Sequence, residues 1–442
     1  MYIERSIDKE LLAWKSEADR KPLLIRGARQ VGKSTAVKNL ATHFDYFIEI
    51  NFDEQPAYKI LFDQDLDLND FIEQLALLTQ TEIIEGKTLL FFDEIQACIP
   101  AISKLRYFYE KKPGLHVIAA GSLLEFALEE LPSFGVGRVR SIFMYPLSFH
   151  EFLGALAQTK LVELIETSSS KQPITPLLHE KLKNYVKKYL IIGGMPQAVS
   201  AYALHGDLLK VQRILDDLLI SIQADFVKYK KQISPQNIQA VFNSVVQQVG
   251  TKFKFTNDHS SLSNTGVKQV LNLLEMAGLV YPVVHTSSNG IPLGAQINPK
   301  KIKMLLFDTG IYQRILGLDI AALLLQPDTD VVNKGNIAEL FVGLELLKYS
   351  NCYQKTALHY WQREAKNSQA EVDYVLQVQE RIIPLEVKAG TKGAMQSMHL
   401  FLAEKNVPFG LRLSLENFSA YEQINVLPLY AVSNCFTTVK NL

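Results

Sequence analysis

The chain has little cysteine, no net charge and no long apolar run. Its three cysteines, Cys98, Cys352 and Cys435, lie far apart with no C-x-x-C pair. That spacing excludes a disulfide framework and a zinc ribbon, and predicts a reducing, cytoplasmic setting. Basic and acidic residues number 46 each. Bulk electrostatics therefore favours no partner, and any basic surface must be local. The richest apolar runs, such as Ile320 to Leu325, are too short to span a bilayer, which predicts no membrane partner. The opening residues Met1-Tyr2-Ile3-Glu4-Arg5 carry charge where a secretory signal needs an apolar core. No internal repeat or low-complexity tract is visible. What remains is an ordinary globular composition, 48% apolar and 21% charged over 442 residues, enough for two or three domains. Ser168-Ser169-Ser170, followed by Pro173 and Pro176, is the clearest linker-like stretch.

One stretch organises the rest. Leu23-Leu24-Ile25-Arg26 reads as a short buried strand. The chain then breaks at Gly27 and enters a helix at Lys33. Gly27, Gly32, Lys33 and Ser34 fit the phosphate-loop spacing G-x-x-x-x-G-K-[ST]. The glycines let the backbone curl so that successive N–H groups, from Gln30 and Val31 through Gly32 to Thr35, face anionic oxygens. The helix behind adds its positive end. Lys33 supplies a point charge for the outer phosphates, and the Ser34 hydroxyl is placed to ligate magnesium.

The residues a hydrolysing site needs opposite that loop follow. Lys87 to Phe92 is a strand run ending in Asp93-Glu94. Asp93 would hold the magnesium shell, and Glu94 would orient and deprotonate the attacking water. His116 to Ala120 reads as another strand, ending in Gly121-Ser122. There Ser122 is either a sensor touching the γ-phosphate or a helix N-cap, and both can hold. Gly137-Arg138-Val139-Arg140 precedes a fifth strand. An arginine here would reach a γ-phosphate in its own or a neighbouring subunit, or make a surface salt bridge. A working arginine finger is worth roughly 10³–10⁵ in rate.

With these residues the chain resembles the AAA+-type ATPases of bacteria and archaea. The resemblance rests on Gly27 to Thr35, Leu90 to Gln96, Gly121-Ser122, and Gly137-Arg138 followed by Tyr145-Pro146-Leu147-Ser148-Phe149-His150-Glu151-Phe152. With Gly193-Gly194-Met195-Pro196, it is similar to the branch carrying a C-terminal domain of unknown function. The resemblance implies an ASCE-type parallel sheet, a helical lid and ATP as nucleotide. It puts Asp93 and Glu94 on the magnesium and base positions, Ser122 on the sensor, and Arg138 on the Gly-Arg arginine.

Glu180 to Lys230 has mostly helical periodicity, broken at Gly193-Gly194 and Gly206-Asp207, as a lid would. Two helices follow, after Ser234-Pro235 and after Ser263. A strand from Ala277 then leads to a hairpin near Ser287-Ser288-Asn289-Gly290. Helix, helix and hairpin suggest a winged helix. Lys228, Lys230, Lys231, Lys252, Lys254 and Lys268 stand against Asp258 there. That makes DNA a candidate partner, and a solvated lysine face the alternative.

In the last third, a helix from Gly335 carries Glu339. Three strands, a helix and a strand follow, the core order of the PD-(D/E)XK nucleases, which residues 333–415 resemble. Residues two apart on a strand share a face, so Glu386 and Lys388 point the same way. A neighbouring strand can set Asp373 beside Glu386. Carboxylates so placed hold a hard divalent ion, Glu339 could complete the set, and Lys388 could orient the attacking water. Val372 stands where proline often precedes the aspartate.

The expected architecture is α/β in four parts: an ATPase core over residues 1–150, a helical lid over 151–230, a winged helix over 231–300, and a restriction-endonuclease-like α/β domain over 301–442. Two functions compete. In one, an ATPase using ATP and Mg²⁺, with a homo-oligomeric ring as its natural assembly, couples nucleotide state to a DNA-directed nuclease. In the other, a nucleotide-controlled switch binds a protein partner and the C-terminal site is silent.

Overall fold

The computed structural model describes residues 2–131, 137–229, 233–255, 262–319, 335–365, 370–390 and 393–440. The expectations placed on Lys230, Lys231, Asp258 and Ile320 to Leu325 lie outside the described residues. The chain divides into two compact units. One is Met1–Tyr145 with Met276–Gly278 and Asn351–Lys355; the other is Pro146–Glu275 with Leu279–Ser350 and Thr356–Leu442.

In the first unit five strands run parallel: β1 (Leu23–Arg26), β2 (Tyr46–Asn51), β3 (Thr88–Asp93), β4 (His116–Ala120) and β5 (Arg140–Phe143), in the order β2-β3-β4-β1-β5. Strands buried on both faces read as unbroken apolar runs, and every residue of β3 and β4 is buried. Around the sheet lie helices α1 (Ser6–Lys15), α2 (Lys33–Ala41), α3 (Lys59–Asp63), α4 (Leu68–Thr79), α5 (Ile99–Lys111) and α6 (Leu124–Glu130). Phe62 meets Phe71 and Phe92 edge-on at 4.8 and 5.4 Å between ring centroids. Each such pair adds about 0.5–1.5 kcal/mol beyond its burial. This packing seats β3 firmly beneath its terminal acids. Because β4 lies between β1 and β3, the loops after all three strands leave the sheet at one edge, where ligands of parallel sheets bind.

The second unit begins with helices α7 (Phe149–Ala155), α8 (Thr159–Thr167), α9 (Pro176–Ile192), α10 (Pro196–His205) and α11 (Leu208–Tyr229), broken at the glycine pairs as expected. Ser168 to Ser170 is not a domain linker. It is a turn inside this unit, with Ser169 bridged to Gln172 and the Ser168 hydroxyl donating to the Leu164 carbonyl at 2.6 Å. Next come α12 (Pro235–Gln247), α13 (Asn264–Met276), the hairpin β6 (Val280–Thr286) and β7 (Ile297–Leu306), and α14 (Thr309–Ile315). Then follow α15 (Gly335–Lys348), β8 (Leu358–Gln362), β9 (Glu371–Val378), β10 (Arg381–Val387), α16 (Gln396–Lys405), β11 (Gly410–Ser414), β12 (Ser419–Tyr421), β13 (Ile424–Pro428) and α17 (Asn434–Lys440).

The hairpin is not a free wing. Strands β6 to β13 form one eight-stranded sheet in the order β12-β13-β11-β10-β9-β8-β6-β7, with β6 pairing parallel to β8. The expected division between residues 300 and 301 therefore falls inside β7. Burial explains the merger: Val280, Tyr281 and Val283 bury their side chains, which a solvated wing would expose.

The Pro-Leu-Ser-Phe stretch has a definite structural task. Ser148 and Glu151 form a capping box at the start of α7. The Phe149 N–H donates to Glu345 Oε2 of α15 at 2.8 Å. Glu345 is fully buried and also accepts from Lys348 at 3.0 Å and from the Tyr189 hydroxyl at 3.2 Å. One carboxylate thus pins the starts of α7 and the ends of α9 and α15.

Candidate functional site

Gly27 and Gly32 adopt φ of 145° and 99°, a region that disfavours side chains, and a Cβ at Gly27 would be driven into the Met144 carbonyl. Gln30 also has a positive φ, 63°. Gln30 and Val31 lie in the loop, with Val31 buried, and Thr35 lies in the first turn of α2. Lys33 starts α2 and turns back over the loop, donating to the carbonyls of Gly27 at 2.9 Å and Ala28 at 2.8 Å. Burial draws its ammonium down to about 8, offset in part by Glu94 and Asp93.

The Ser34 hydroxyl donates to Asp93 Oδ2 at 2.7 Å. A hydroxyl and a carboxylate oxygen side by side, at a helix start facing a phosphate loop, are a donor set that fits magnesium. Glu94 sits one residue beyond Asp93 with φ of 48°, unusual for a side-chain-bearing residue. Its Oε2 accepts from Gln96 Nε2 at 2.6 Å and from the Ser122 hydroxyl at 3.2 Å. A Cβ at Gly121 would displace the Gln96 amide oxygen, so glycine here leaves Gln96 room beside Glu94. Gly27, Gly32, Lys33, Ser34, Asp93, Glu94 and Ser122 are thus gathered at one sheet edge. Ser122 touches Glu94, and the N-cap position of α6 is taken by Leu123 rather than by Ser122.

Arg138 lies elsewhere. It pairs with Glu110 near the end of α5. In the β1–β5 register Arg140 is level with Leu23, so Arg138 is about six residues below Gly27, roughly 20 Å at strand rise. A finger acting on its own subunit's phosphate is thereby corrected. Strand direction puts Arg138 at the opposite edge of the sheet. Arg140 makes the structural contact: Nη1 lies 2.7 Å from both Glu17 carboxylate oxygens.

Two contacts at this site were not legible in the sequence. Buried Arg5 donates to the Val31 carbonyl at 2.9 Å and the Tyr145 carbonyl at 2.8 Å, holding the back of the phosphate loop. These contacts span 26 and 140 residues, beyond any local pattern. Gln96 belongs to the recognised stretch, but its grip on Glu94 was unforeseen.

The C-terminal residues gather too, with an addition. Asp373 Oδ2 accepts from the Val387 N–H at 2.8 Å. Leu385 pairs with Tyr374, so the next step of the register sets Glu386 beside Asp373. Lys388 donates to Glu386 Oε1 at 2.6 Å. Burial and the neighbouring Asp373 raise the Glu386 carboxyl. Into this group β7 sends Lys303. Its Nζ lies 2.8 Å from Glu339 Oε1, 2.6 Å from Glu371 Oε1 and 3.9 Å from Asp373 Oδ1. Burial works against this ammonium, but Glu339, Asp373 and Glu371 more than compensate and hold it charged. The shared divalent ion expected at Glu339, Asp373 and Glu386 does not fit this arrangement: an ammonium stands among the carboxylates, and Lys388 occupies Glu386. Among the described residues no group of three histidine, cysteine, aspartate or glutamate side chains is disposed to hold a metal ion.

Residues 19–153 match the AAA domain family, and the chain carries an AAA-type, nucleotide-binding ATPase domain there. Residues 183–321 and 334–432 match two domains of unknown function, DUF8612 and DUF4143. No curated protein matches the chain. Among solved structures, a Walker-type ATPase of Pyrococcus abyssi is 14% identical, with 72% of this chain and 96% of that one covered and a TM-score of 0.45. The Aeropyrum pernix ORC1 protein in complex with DNA is 14% identical over 73% and 95%, with a TM-score of 0.27. The Saccharomyces cerevisiae Hsp104–ADP complex is 15% identical over 62% and 38%, also with 0.27. Likeness this distant bears on no functional question. Among the described residues, no helix is long and apolar enough to cross a membrane.

Proposed function

We propose that the protein is a Mg²⁺-dependent ATP hydrolase that works as a homo-oligomer and switches a C-terminal partner-binding domain with its nucleotide state. The observation that carries this reading is the pairing of Ser34 with Asp93, and of Glu94 with Ser122, beside the phosphate loop. On ATP binding Lys33 exchanges the Gly27 and Ala28 carbonyls for outer phosphate oxygens. Ser34 and Asp93 would hold a magnesium ion, which would neutralise charge on the phosphates. Glu94 exchanges Ser122 and Gln96 for the attacking water, taking its proton as general base. Arg138, too far from its own loop to serve it, acts in trans by exchanging its Glu110 partner for a neighbour's γ-phosphate. Head-to-tail contact of this kind closes naturally into a ring.

The partner reading is favoured over DNA contact by the lysines of the middle region. Lys228 pairs with Asp225 at 2.9 Å, Lys252 with Glu371 at 3.6 Å, and Lys268 lies over the Phe255 ring at 5.2 Å. A DNA-directed nuclease is the second reading, favoured by the adjacency of Asp373 and Glu386 and opposed by Lys303.

ATP-dependent melting and phosphate release test the ATPase. ATP at one hundred times its dissociation constant should stabilise the wild type by about 2.7 kcal/mol. Lys33→Ala should lose both the shift and turnover, and Glu94→Gln should keep the shift and lose turnover. An unchanged melting shift in Lys33→Ala refutes the assignment of the loop.

A further inference from the structure

Lys303 lies in the run Ile302-Lys303-Met304-Leu305-Leu306, and its side chain is only 1% exposed. A lysine so buried requires partners that keep its charge. It has them on three elements: Glu339 on α15, and Glu371 and Asp373 on β9, with the Tyr360 ring of β8 at 5.2 Å. The carboxylates have the same need in reverse. Several buried acids close together require a cation, and the choices are a divalent ion, protons or an ammonium. An ammonium offers three donors, and here two point at Glu339 and Glu371 at 2.8 and 2.6 Å.

We propose that Lys303 is the resident cation of the C-terminal carboxylate cluster and keeps Mg²⁺ and Mn²⁺ out of it. Magnesium would need oxygens at about 2.1 Å. A divalent ion drawn to Glu339 and Asp373 would meet the Lys303 ammonium already 2.8 and 3.9 Å from them, so ion and ammonium exclude each other by charge. An ammonium neutralises the acids but supplies no Lewis acid and no metal-bound water. The site retains one sign of what a metal could take: Glu386 Oε2 is buried without a hydrogen-bond partner, on a residue only 6% exposed. Removal of the Lys303 charge should therefore create a divalent-ion site from Asp373, Glu386 and Glu339. In the wild type the same lysine fastens β7 to β9 and α15, and so makes the hairpin part of the C-terminal fold. This inference does not depend on the ATPase reading.

The test is Mn²⁺ titration of the full chain without nucleotide, read by the electron paramagnetic resonance signal of free Mn²⁺. It uses wild type, Asp373→Ala, Lys303→Gln, Lys303→Met and Lys303→Gln/Asp373→Ala. Wild type and Asp373→Ala should bind Mn²⁺ alike. A charge-removing variant should gain one site at least tenfold tighter than any wild-type binding, and the double variant should lose it. Wild-type binding that disappears in Asp373→Ala overturns the proposal and needs no Lys303 variant to fold. So does the absence of a gained site in a variant that keeps the wild-type circular dichroism and melting transition.

Discussion

Glu345 offers the sharpest test of how the second unit is held together. It is fully buried and accepts from the Phe149 N–H, the Lys348 ammonium and the Tyr189 hydroxyl. Lys348 is itself buried, its side chain 4% exposed, and it also donates to the Leu147 carbonyl at 3.1 Å and the Tyr189 hydroxyl at 2.6 Å. Glu345→Ala removes the one opposite charge paired with this ammonium among the described residues and strands the Phe149 N–H, while the Tyr189 hydroxyl keeps the Leu147 carbonyl. Breaking a buried pair from one side costs about 3–5 kcal/mol. Glu345→Gln keeps an acceptor for Phe149 and should cost less. Lys348→Met in addition to Glu345→Gln removes the stranded charge and should recover part of the loss, giving a coupling energy above 1 kcal/mol in the double-mutant cycle. The sequence supplies its own probes, because the two tryptophans fall one to each unit. In a Trp14→Phe background, Trp361 alone reports the second unit, and its emission can be followed through urea unfolding. A Glu345→Ala cost below 1 kcal/mol, or additivity in the cycle, would refute the claim that this carboxylate fixes the Pro-Leu-Ser-Phe stretch to α15.

Arg5→Ala should weaken ATP binding at least tenfold while leaving β-sheet circular dichroism intact, because it releases the Val31 carbonyl from behind the phosphate loop. Equal ATP affinity by calorimetry would make Arg5 a purely structural residue. His116 is held down to about 4 by burial, against an ordinary value of 6.5. The fold therefore favours the neutral ring, and its stability contribution is complete above pH 6.5 and lost as pH falls toward 4. That loss is about 3 kcal/mol at 1.36 kcal/mol per pKa unit. His116→Phe, which keeps a ring against Trp14 and Phe44, should flatten the first unit's stability between pH 6.5 and 4, read from Trp14 emission in a Trp361→Phe background. Mixing Arg138→Ala with Glu94→Gln subunits should restore part of the turnover that each lacks alone. Full-rate hydrolysis by wild-type protein that sediments as a monomer with ATP rules out the trans finger.

The nucleotide site was largely legible because its chemistry is local. Gly27 to Thr35 and Leu90 to Glu94 hold their functional atoms within one strand-turn segment each, so spacing alone orders them. The elements showed the same pattern: β4 falls on the apolar run His116 to Ala120. Contacts that bring distant segments together were not legible. Arg5 precedes α1 with nothing to link it to Val31, and Ser168 to Ser170 has a linker's composition although it closes a turn. Arg138 illustrates a different limit. Its motif gave the residue, but only strand direction and register say which edge of the sheet it occupies.

Lys303 shows why the second site read differently from the first. Strand alternation correctly predicts that Glu386 and Lys388 share a face and that Asp373 can stand beside them. Alternation within residues 370–388 cannot say what enters from outside, and the deciding atom comes from β7, some seventy residues earlier by numbering. Only a partial signal was present in the sequence: of the three lysines in β7, Lys303 is the one set among the apolar residues Ile302 and Met304 to Leu306. A buried lysine demands acids, just as clustered buried acids demand a cation. Each half of that requirement was visible in its own segment, but the expected boundary at residue 300 put them in separate modules. Once β6 pairs with β8, the hairpin and the carboxylates share one sheet, and the charge of Lys303 meets the charges that require it. The same pairing is the ground on which we propose the switch ahead of the nuclease. A metal-dependent nuclease needs the place the ammonium holds, whereas a nucleotide-controlled binding domain needs only that the cluster be neutralised and the hairpin fixed.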